Sequence, residues 1–194
     1  MVASVIATRY NRRTFMQLPA FTNPEDNIVA LGIHEGMVVA DLGAGTGAYT
    51  IPLAEKVGET GRVYAVEVQK DFLTNIKNAV ASRGLKNVEL LWGNIENLGG
   101  TKIKDGGVDA VVISNVLFQA ESKEGLIREA RRILKTGGKL LIVDWSDSFN
   151  NLGPSPKMVV TKDATRALCE SEGFVLKKEI PAGEHHYGLI MLKS

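Results

Sequence analysis

An aspartate followed by three alternating glycines is the part of this sequence with the most direct chemical meaning. Asp41 lies near the end of the apolar stretch 37–42, and the alternate positions after it hold Gly43, Gly45 and Gly47. Glycine has no Cβ to keep a ligand away and tolerates positive φ, so the backbone of such a turn can contact a flat cofactor. A helix that begins near Gly47 would direct its first unpaired amides at the same place. The pattern predicts a strand, a tight turn and a helix that together form a cofactor site.

Two cofactor classes use a turn of this kind. The segment Gly43–Ala48 satisfies the G-x-G-x-x-A form of the dinucleotide fingerprint, and Glu67 lies at the distance expected of a ribose-binding acid, which favours a NAD(H)-binding oxidoreductase. Asp41 opposes that interpretation, because its carboxylate would lie beside a pyrophosphate with two negative charges. S-adenosylmethionine instead carries a sulfonium and an ammonium group, which a carboxylate attracts. Asp41 therefore favours this cofactor, with S-adenosylhomocysteine as its product; a structural turn without a ligand is the remaining alternative.

Three further side chains are candidates for acid–base catalysis. His185 and His186 lie in the last predicted strand, where neighbours face opposite sides, so at most one of them faces the site. Asp144 ends the fifth predicted strand and could bind a substrate or a metal, or cap a turn. Structural roles are the alternative for both histidines. The single Cys169 excludes a disulfide within the chain and a cysteine-based metal site, and we assign no metal ligands.

The elements that must position these residues follow a βαβα order, which is typical of a parallel sheet with helices on both faces. The predicted strands are 37–42, 62–68, 87–92, 108–114, 138–145, 174–180 and 185–192. The predicted helices lie near 24–32, 47–57, 70–83, 122–135 and 162–172. The last two strands follow one another across the turn Pro181–Gly183, which predicts an antiparallel hairpin. We therefore predict an α/β fold with a Rossmann-like, doubly wound, seven-stranded sheet that is mostly parallel and ends in this hairpin.

Capping residues support the positions of several helices. Asn23 precedes Pro24 at the start of the first helix, and Thr161 precedes the last one, so both are predicted N-caps. Gly84 and Gly173 follow the periodic segments of two helices and are predicted to end them.

Length and composition indicate a single globular unit. At 194 residues the chain is long enough for one well-packed domain, 1–194, in which we predict a helical cap segment over 1–33 and a core over 34–194. The irregular stretch 146–160 is longer than an ordinary connection and is predicted to be a lid or binding loop. A net charge of +1 argues against duplex nucleic acid as the main partner. We find neither a signal peptide nor an apolar stretch long enough to span a membrane, and expect a cytoplasmic location.

The glycine turn and four later segments together resemble the class I S-adenosylmethionine-dependent methyltransferases. The later segments follow in the order expected of that family and are Val63–Val68, Gly93–Glu96, Asp109–Asn115 and Leu134–Leu140. The resemblance covers about residues 30 to 145, and Asp144-Trp145 together with Gly153-Pro154 resembles one branch of small bacterial and archaeal members. It implies methyl transfer by in-line displacement, in which the protein chiefly aligns the reactants and needs a base only for a protonated acceptor.

The resemblance also implies which residues hold the cofactor. In the family an aspartate usually contacts the adenine amino group at the position that Asn94 occupies here, and Ile95 would flank the adenine ring. The end of the fourth strand, Ser114 and Asn115, would face the transferable methyl group. The full set of implied cofactor residues is Asp41, Gly43, Ala44, Gly45, Gly47, Glu67, Val68, Asn94, Ile95, Ser114 and Asn115.

Two departures from related sequences bear on the acceptor. The Asn/Asp-Pro-Pro-aromatic sequence with which amino-methylating nucleic-acid enzymes clamp a flipped base is missing after the fourth strand. Related small-molecule enzymes often place a histidine just beyond the asparagine, where this chain has Phe118 and Gln119. No acid–base role can be carried over to that position.

The sequence is compatible with four functions. The leading hypothesis is a methyltransferase that acts on a small molecule, without a membrane partner. The second keeps the cofactor and makes the acceptor RNA or a protein, with a docking surface formed by Arg9, Arg12, Arg13 and Lys157. The third is a NAD(H)-binding oxidoreductase, and the fourth is a non-catalytic relative that binds the cofactor.

Overall fold

One seven-stranded sheet organises the part of the chain that the computed structural model describes, residues 22–149 and 153–194. The strands follow the spatial order β3-β2-β1-β4-β5-β7-β6. Their bounds are β1 Val38–Leu42, β2 Arg62–Glu67, β3 Val88–Trp92, β4 Val108–Ser114, β5 Leu134–Trp145, β6 Phe174–Pro181 and β7 His186–Lys193. The first five strands are parallel, and β7 pairs antiparallel with both β5 and β6. The predicted fold class and terminal hairpin are confirmed.

The described chain also contains five α-helices, of which α1 precedes the first strand, and one short 3₁₀ turn. They are α1 Pro24–Leu31, α2 Thr50–Val57, α3 Lys70–Ser82, α4 Lys123–Ile133, the 3₁₀ turn Leu117–Gln119 and α5 Lys162–Ser171. Buried residues of α1 and α2 pack on one face of the sheet, and those of α4 and α5 pack on the other. Cys169 belongs to the second of these cores, where burial raises the pKa of its thiol to about 12.

The predicted N-cap residues and the predicted glycines after the helix ends are found in the structure. The Asn23 side chain accepts hydrogen bonds from the amides of Glu25 and Asp26, and Thr161 accepts one from the amide of Ala164. Gly84 and Gly173 have φ values of 68° and 82°, in the left-handed region that follows many helix ends.

Three predicted boundaries were wrong. Helix α2 begins at Thr50 rather than near Gly47, because Gly47 has a φ of 85°, which is not helical, and the turn continues to Tyr49. Strand β5 begins at Leu134, directly after α4, because Leu134 is already extended and pairs with Val108. Strand β7 begins at His186, so His185 lies in the preceding turn and not in the strand.

The order of connections creates a cleft beside β1. From β1 the chain continues outward to β2 and β3, then returns to place β4 on the other side of β1. Connections above the carboxyl ends of β1 and β4 therefore diverge, and in open α/β sheets ligands bind at such a reversal. No helix within 22–149 or 153–194 has the length and apolar character needed to cross a membrane. Residues 1–21 of the predicted cap segment lie outside the described chain, and the division at residue 33 stays a prediction.

Candidate active site

A cavity of about 610 Å³ lies at the carboxyl ends of β1, β2 and β4, where the connections diverge. Most of the predicted cofactor residues line it: Asp41, Gly43, Ala44, Gly45, Glu67, Val68, Asn94, Ile95, Ser114 and Asn115. Gly47 is not among the lining residues, and a Cβ placed on it would lie 3.1 Å from Cγ1 of Ile76 in α3. Its φ of 85° and this close approach give Gly47 a packing role beneath the loop.

The glycine loop is tied to the end of β2 by its own amides. Gly43 and Ala44 donate hydrogen bonds to the Val66 carbonyl at 2.9 and 3.1 Å, and Gly45 donates to Oε2 of Glu67 at 3.0 Å. These amides hold the loop in shape and are directed at protein acceptors. A pyrophosphate, which is usually bound by amides of this type, would have to compete for them.

Asp41 is a buried acid in the wall of the cavity. Its side chain is 2% exposed and accepts a hydrogen bond of 2.6 Å from Oγ1 of Thr50. Burial, together with the nearby charge of Glu67, raises the pKa of Asp41 to about 6. A cationic ligand would favour the ionised form of this carboxyl group, whereas an anionic one would oppose it.

Glu67 presents a fixed carboxylate at the end of β2. Its oxygens accept hydrogen bonds from the amides of Gly45, Val68 and Gln69 at 2.8 to 3.0 Å. Each carboxylate oxygen can accept more than one hydrogen bond, so capacity remains on the cavity side. The geometry suits acceptance from a pair of hydroxyl groups, such as those of a ribose.

The wall after β3 is formed by an asparagine turn. Oδ1 of Asn94 accepts a hydrogen bond of 2.9 Å from the amide of Glu96, which fixes the orientation of the side-chain amide. Ile95 reaches towards the glycine loop, and its Cδ1 would lie 3.5 Å from a Cβ placed on Gly43. This part of the cavity offers one fixed amide and an apolar surface, which suits a planar base.

The wall after β4 is formed by Ser114 and Asn115. Asn115 has a φ of 57° and is one of two non-glycine residues with positive φ in the described chain. Its amide donates to the Val143 carbonyl at 2.8 Å, and its carbonyl accepts from Nε2 of Gln119 at 3.0 Å. Oδ1 of Asn115 is buried and has no hydrogen-bond partner within residues 22–149 and 153–194.

Sequence reasoning assigned no role to Tyr49, Asn27 or Gln119, which the structure places in or beside the cavity. Tyr49 lines the cavity, is 4% exposed, and accepts a hydrogen bond of 2.8 Å from Nδ2 of Asn27 in α1. Burial raises the pKa of the Tyr49 hydroxyl, so it stays protonated at neutral pH. Gln119 also lines the cavity. The place of Tyr49 just after the glycine turn was a usable signal, whereas Asn27 gave none. Gln119 was noted only as one of two residues at a position where related enzymes often have a histidine.

Asp144 lies beneath the site rather than in the cavity lining. It is 1% exposed, and its Oδ2 accepts hydrogen bonds from the amides of Leu117 and Phe118 at 2.8 and 3.4 Å. Oδ1 accepts a hydrogen bond of 2.8 Å from the amide of Trp145. Burial raises the pKa of Asp144 to about 6. The predicted catalytic role is not supported by this position, and the turn-capping alternative describes it.

The two histidines do not reach the cavity lining either. His185 places Nδ1 2.9 Å from Oδ1 of Asp147 and stacks on Phe149 with ring centroids 4.0 Å apart. His186 is 6% exposed and packs against Trp145. The structure therefore brings the cofactor residues together and separates them from all three predicted catalytic residues.

Parts of the predicted cap and of the predicted lid lie within the described residues. Thr22, the first residue that the structure describes, lines the cavity. Gly153, in the loop predicted as a lid, packs against the indole of Trp145, which a Cβ would approach to 2.7 Å. Of the predicted docking residues Lys157 is exposed, and Arg9, Arg12 and Arg13 lie outside the described residues. The described ranges contain no group of three or more His, Cys, Asp or Glu side chains that could hold a metal ion.

In open α/β sheets ligands bind at a reversal of this kind, and here the reversal is lined by an acid at the end of β2 and a buried acid before the glycine turn. The model of a family described as "Methyltransferase domain" matches residues 33–183. A solved S-adenosylmethionine-dependent methyltransferase from Aquifex aeolicus is 28% identical, with a TM-score of 0.81 over 90% of this chain and 91% of that one. The chain belongs to the S-adenosylmethionine-dependent methyltransferase family, as its sequence resemblance indicates.

Curated relatives of this chain are enzymes with named methylation activities. The ubiquinone/menaquinone biosynthesis C-methyltransferase of Escherichia fergusonii is 28% identical over 174 residues, which span 74% of this chain and 68% of that protein. The arsenite methyltransferase of Aquipseudomonas alcaligenes is 36% identical over 122 residues, or 60% of this chain and 35% of that protein. The match to the arsenite methyltransferase is confined to about a third of that protein's length.

Proposed function

We propose that this chain transfers a methyl group from S-adenosylmethionine to a small-molecule acceptor, with the cofactor held in the cavity above β1. When bound, the cofactor supplies a methyl group on a sulfonium, and the acceptor displaces it in line. The observation that carries the proposal is the buried Asp41 carboxylate beside a loop whose amides already bind the end of β2. This wall attracts a cation and offers few free amides to a diphosphate.

Different residues of the cavity would bind chemically different parts of the cofactor. Glu67 would accept the two ribose hydroxyls, and Asn94 with Ile95 would bind the adenine, because they follow β2 and β3 on one side of β1. Asp41 would face the cationic portion. The proposed task of these side chains is orientation, which can contribute about 7–11 kcal/mol to a reaction between aligned partners.

Several observations favour a small acceptor. The relatives named above act, by their names, on a quinone-pathway compound and on arsenite. Arsenite is the less suitable acceptor here, because it binds thiols and the single Cys169 is buried in the core with its pKa raised to about 12. We therefore favour an organic acceptor. An RNA or protein acceptor stays an alternative that would use Lys157 and the N-terminal arginines.

Calorimetry with two ligands tests the proposal directly. We expect S-adenosylhomocysteine to bind at micromolar concentrations and NADH not to bind at all. Binding of NADH with no heat from S-adenosylhomocysteine would instead establish the oxidoreductase alternative. Cofactor binding without turnover on a panel of phenols, quinols, thiols and amines would favour the non-catalytic relative.

A further inference from the structure

A second cavity, of about 420 Å³, lies at the end of the sheet opposite the cofactor cavity. It is formed by the last turn of α4, the turn before β4 and the end of β7, from which Arg131, Gly106 and Lys193 line it. Because β7 runs antiparallel to β5, its last residues lie beside the first half of β5, so these elements meet at the amino ends of the parallel strands. The cofactor cavity lies at their carboxyl ends, and no described residue lines both.

Charged side chains dominate the lining of this second cavity, which we call the basic cavity. Four of its lining residues are basic and two are acidic: Arg128, Arg131, Arg132, Lys193, Asp105 and Glu172. Both acids are already paired. Nη2 of Arg128 lies 2.9 Å from Oε1 of Glu172, and Arg132 lies between Asp105 and the buried Glu129. The other two cations of the lining therefore need a different anion.

Arg131 presents a guanidinium group that is fixed by packing. A Cβ added to Gly173 would lie 3.1 Å from Nε of Arg131 and 3.2 Å from Nη2, so the group lies flat against the glycine. Nε is buried there, whereas Nη1 and Nη2 are accessible and make no hydrogen bond within residues 22–149 and 153–194. These two nitrogens form a fork that is in place before any ligand arrives and has donors to offer.

Lys193 brings a second cation to the same place. Its Nζ donates hydrogen bonds to the carbonyl oxygens of Arg131 and Leu134 at 2.7 and 2.6 Å, which fix the ammonium group at the end of α4. An ammonium group has three donors, so one remains. Burial and the positive charge of Arg131 lower the pKa of Lys193. The fold thus holds two like charges together, and an anion that contacted both would relieve their repulsion.

The donors and the charge of the basic cavity favour a phosphate group as this anion. A phosphate has enough oxygens to accept hydrogen bonds from the fork of Arg131 and from Lys193 at once. When Asp105, Glu172 and the adjacent Glu129 are set against the four cations, an excess of one positive charge is left. That excess suits one phosphate group, whereas a nucleic-acid backbone requires an extended basic surface.

We propose that the basic cavity binds the phosphate group of a small molecule, which accepts hydrogen bonds from the guanidinium group of Arg131 and the ammonium group of Lys193. The site lies apart from the cofactor cavity, so this inference does not depend on the proposed function. Free phosphate and a phosphate monoester share the chemistry that the site recognises.

An NMR titration of the unaltered protein tests the site without any substitution. Inorganic phosphate and glycerol phosphate are the two probes, and acetate at equal ionic strength is the control anion. We expect both phosphates to cause saturable shifts of the amide signals of Gly106 and Gly173, and acetate to cause none. Tighter binding of one probe identifies the free ion or the ester as the better ligand. The amide signals of Gly43 and Gly45 should respond to S-adenosylhomocysteine and not to phosphate.

Two substitutions of Arg131 then separate its charge from its fork. Arg131→Met keeps most of the apolar stem and should weaken phosphate binding by about tenfold, as for the loss of hydrogen bonds to a charged group. Arg131→Lys keeps the charge without the fork and should cause a smaller loss. Arg62→Met is the matched control, because Arg62 is exposed at the amino end of β2, outside the basic cavity, and its loss changes the net charge equally. Its Kd for phosphate should stay within about twofold, since distant surface charges are screened.

Four results would overturn the inference. The first is the absence of saturable shifts at Gly106 and Gly173 with either phosphate, and the second is equal binding of acetate. The third is an equal loss in Arg131→Met and Arg62→Met, which would indicate general attraction of anions to the surface. The fourth is a response to a short RNA and to neither small probe, which would make the site a nucleic-acid contact. Failure of the protein to bind S-adenosylhomocysteine bears on the proposed function alone.

Discussion

The hydroxyl of Thr50, the first residue of α2, donates a hydrogen bond of 2.6 Å to the carboxylate of Asp41 at the end of β1. This contact partly compensates a buried charge in the wall of the cavity. Because burial still raises the pKa of Asp41 to about 6, the carboxyl group is poorly stabilised without a ligand.

Replacement of Asp41 should therefore affect binding more than folding. We expect Asp41→Ala to lose more than tenfold in affinity for S-adenosylhomocysteine, with a thermal midpoint close to that of the unaltered protein, because a charge with a raised pKa contributes little to stability. Calorimetry and a thermal melt measure the two effects. Thr50→Val is the matched control, since it removes the hydrogen bond and keeps the carboxylate. If Asp41→Ala bound S-adenosylhomocysteine as tightly as the unaltered protein, Asp41 would have no role in cofactor binding.

Cofactor binding should release protons near pH 6. The pKa of Asp41 is raised from 3.8 to about 6, so between these values the folded protein binds more protons than the unfolded chain, and this group favours folding more as the pH falls from 6 towards 4. A cationic ligand stabilises the carboxylate and lowers its pKa again, so binding expels part of a proton and weakens at low pH.

Calorimetry at pH 6 in two buffers with different ionisation enthalpies measures this release. Asp41→Asn should abolish it. Asp144, whose pKa is also about 6, is the relevant internal comparison, because Asp144→Asn should retain the release. If proton release persisted in Asp41→Asn and vanished in Asp144→Asn, the released proton would come from Asp144 and not from Asp41.

Gly43→Ala should destabilise the protein for two separable reasons. Gly43 has a φ of 77°, and a Cβ at this position would lie 2.5 Å from Cγ2 of Val116. We expect a loss of about 1–2 kcal/mol from the backbone conformation and about 1–3 kcal/mol from the collision. Denaturant unfolding measures the sum.

Gly99→Ala isolates the first contribution, because Gly99 has a φ of 78° and no atom within 4 Å of the added Cβ. The double variant Gly43→Ala with Val116→Ala should recover the part of the lost unfolding free energy that comes from the collision with Val116. If Gly43→Ala and Gly99→Ala cost the same, the close approach to Val116 is not a constraint.

The Asn27–Tyr49 hydrogen bond should link α1 to the cavity. Tyr49→Phe leaves the buried Nδ2 of Asn27 without its acceptor, which is expected to cost about 1–3 kcal/mol in the free energy of unfolding. Asn27→Leu combined with Tyr49→Phe removes both polar groups and should recover part of that loss. Additive single effects in urea unfolding would show that the two groups do not interact.

Much of the fold was predictable because it depends on local signals. The strands were located to within one or two residues at most ends, since each is a short apolar run bounded by turn residues. The start of α2 was placed too early, because Gly47 has a left-handed φ of 85°, which no periodicity reveals.

The cofactor side of the site was more predictable than its other parts. Asp41 and Glu67 are positioned by their own strands, so their spacing from the glycines located them. Gln119 and Asp144 depend on a turn that packs across β4 and β5, and only the folded backbone shows that Asp144 caps this turn. The catalytic roles of His185 and His186 stay predictions, because neither residue lines the cavity; only the predicted start of β7 was wrong, by one residue.

The tethering of the glycine loop to Val66 and Glu67 has a thermodynamic consequence for ligand entry. Because folding itself fixes these backbone torsions, an incoming molecule does not have to freeze them, and their conformational entropy is absent from the association step. We therefore expect the adenosyl part of the cofactor to bind with a high association rate and with little rearrangement of the glycine loop.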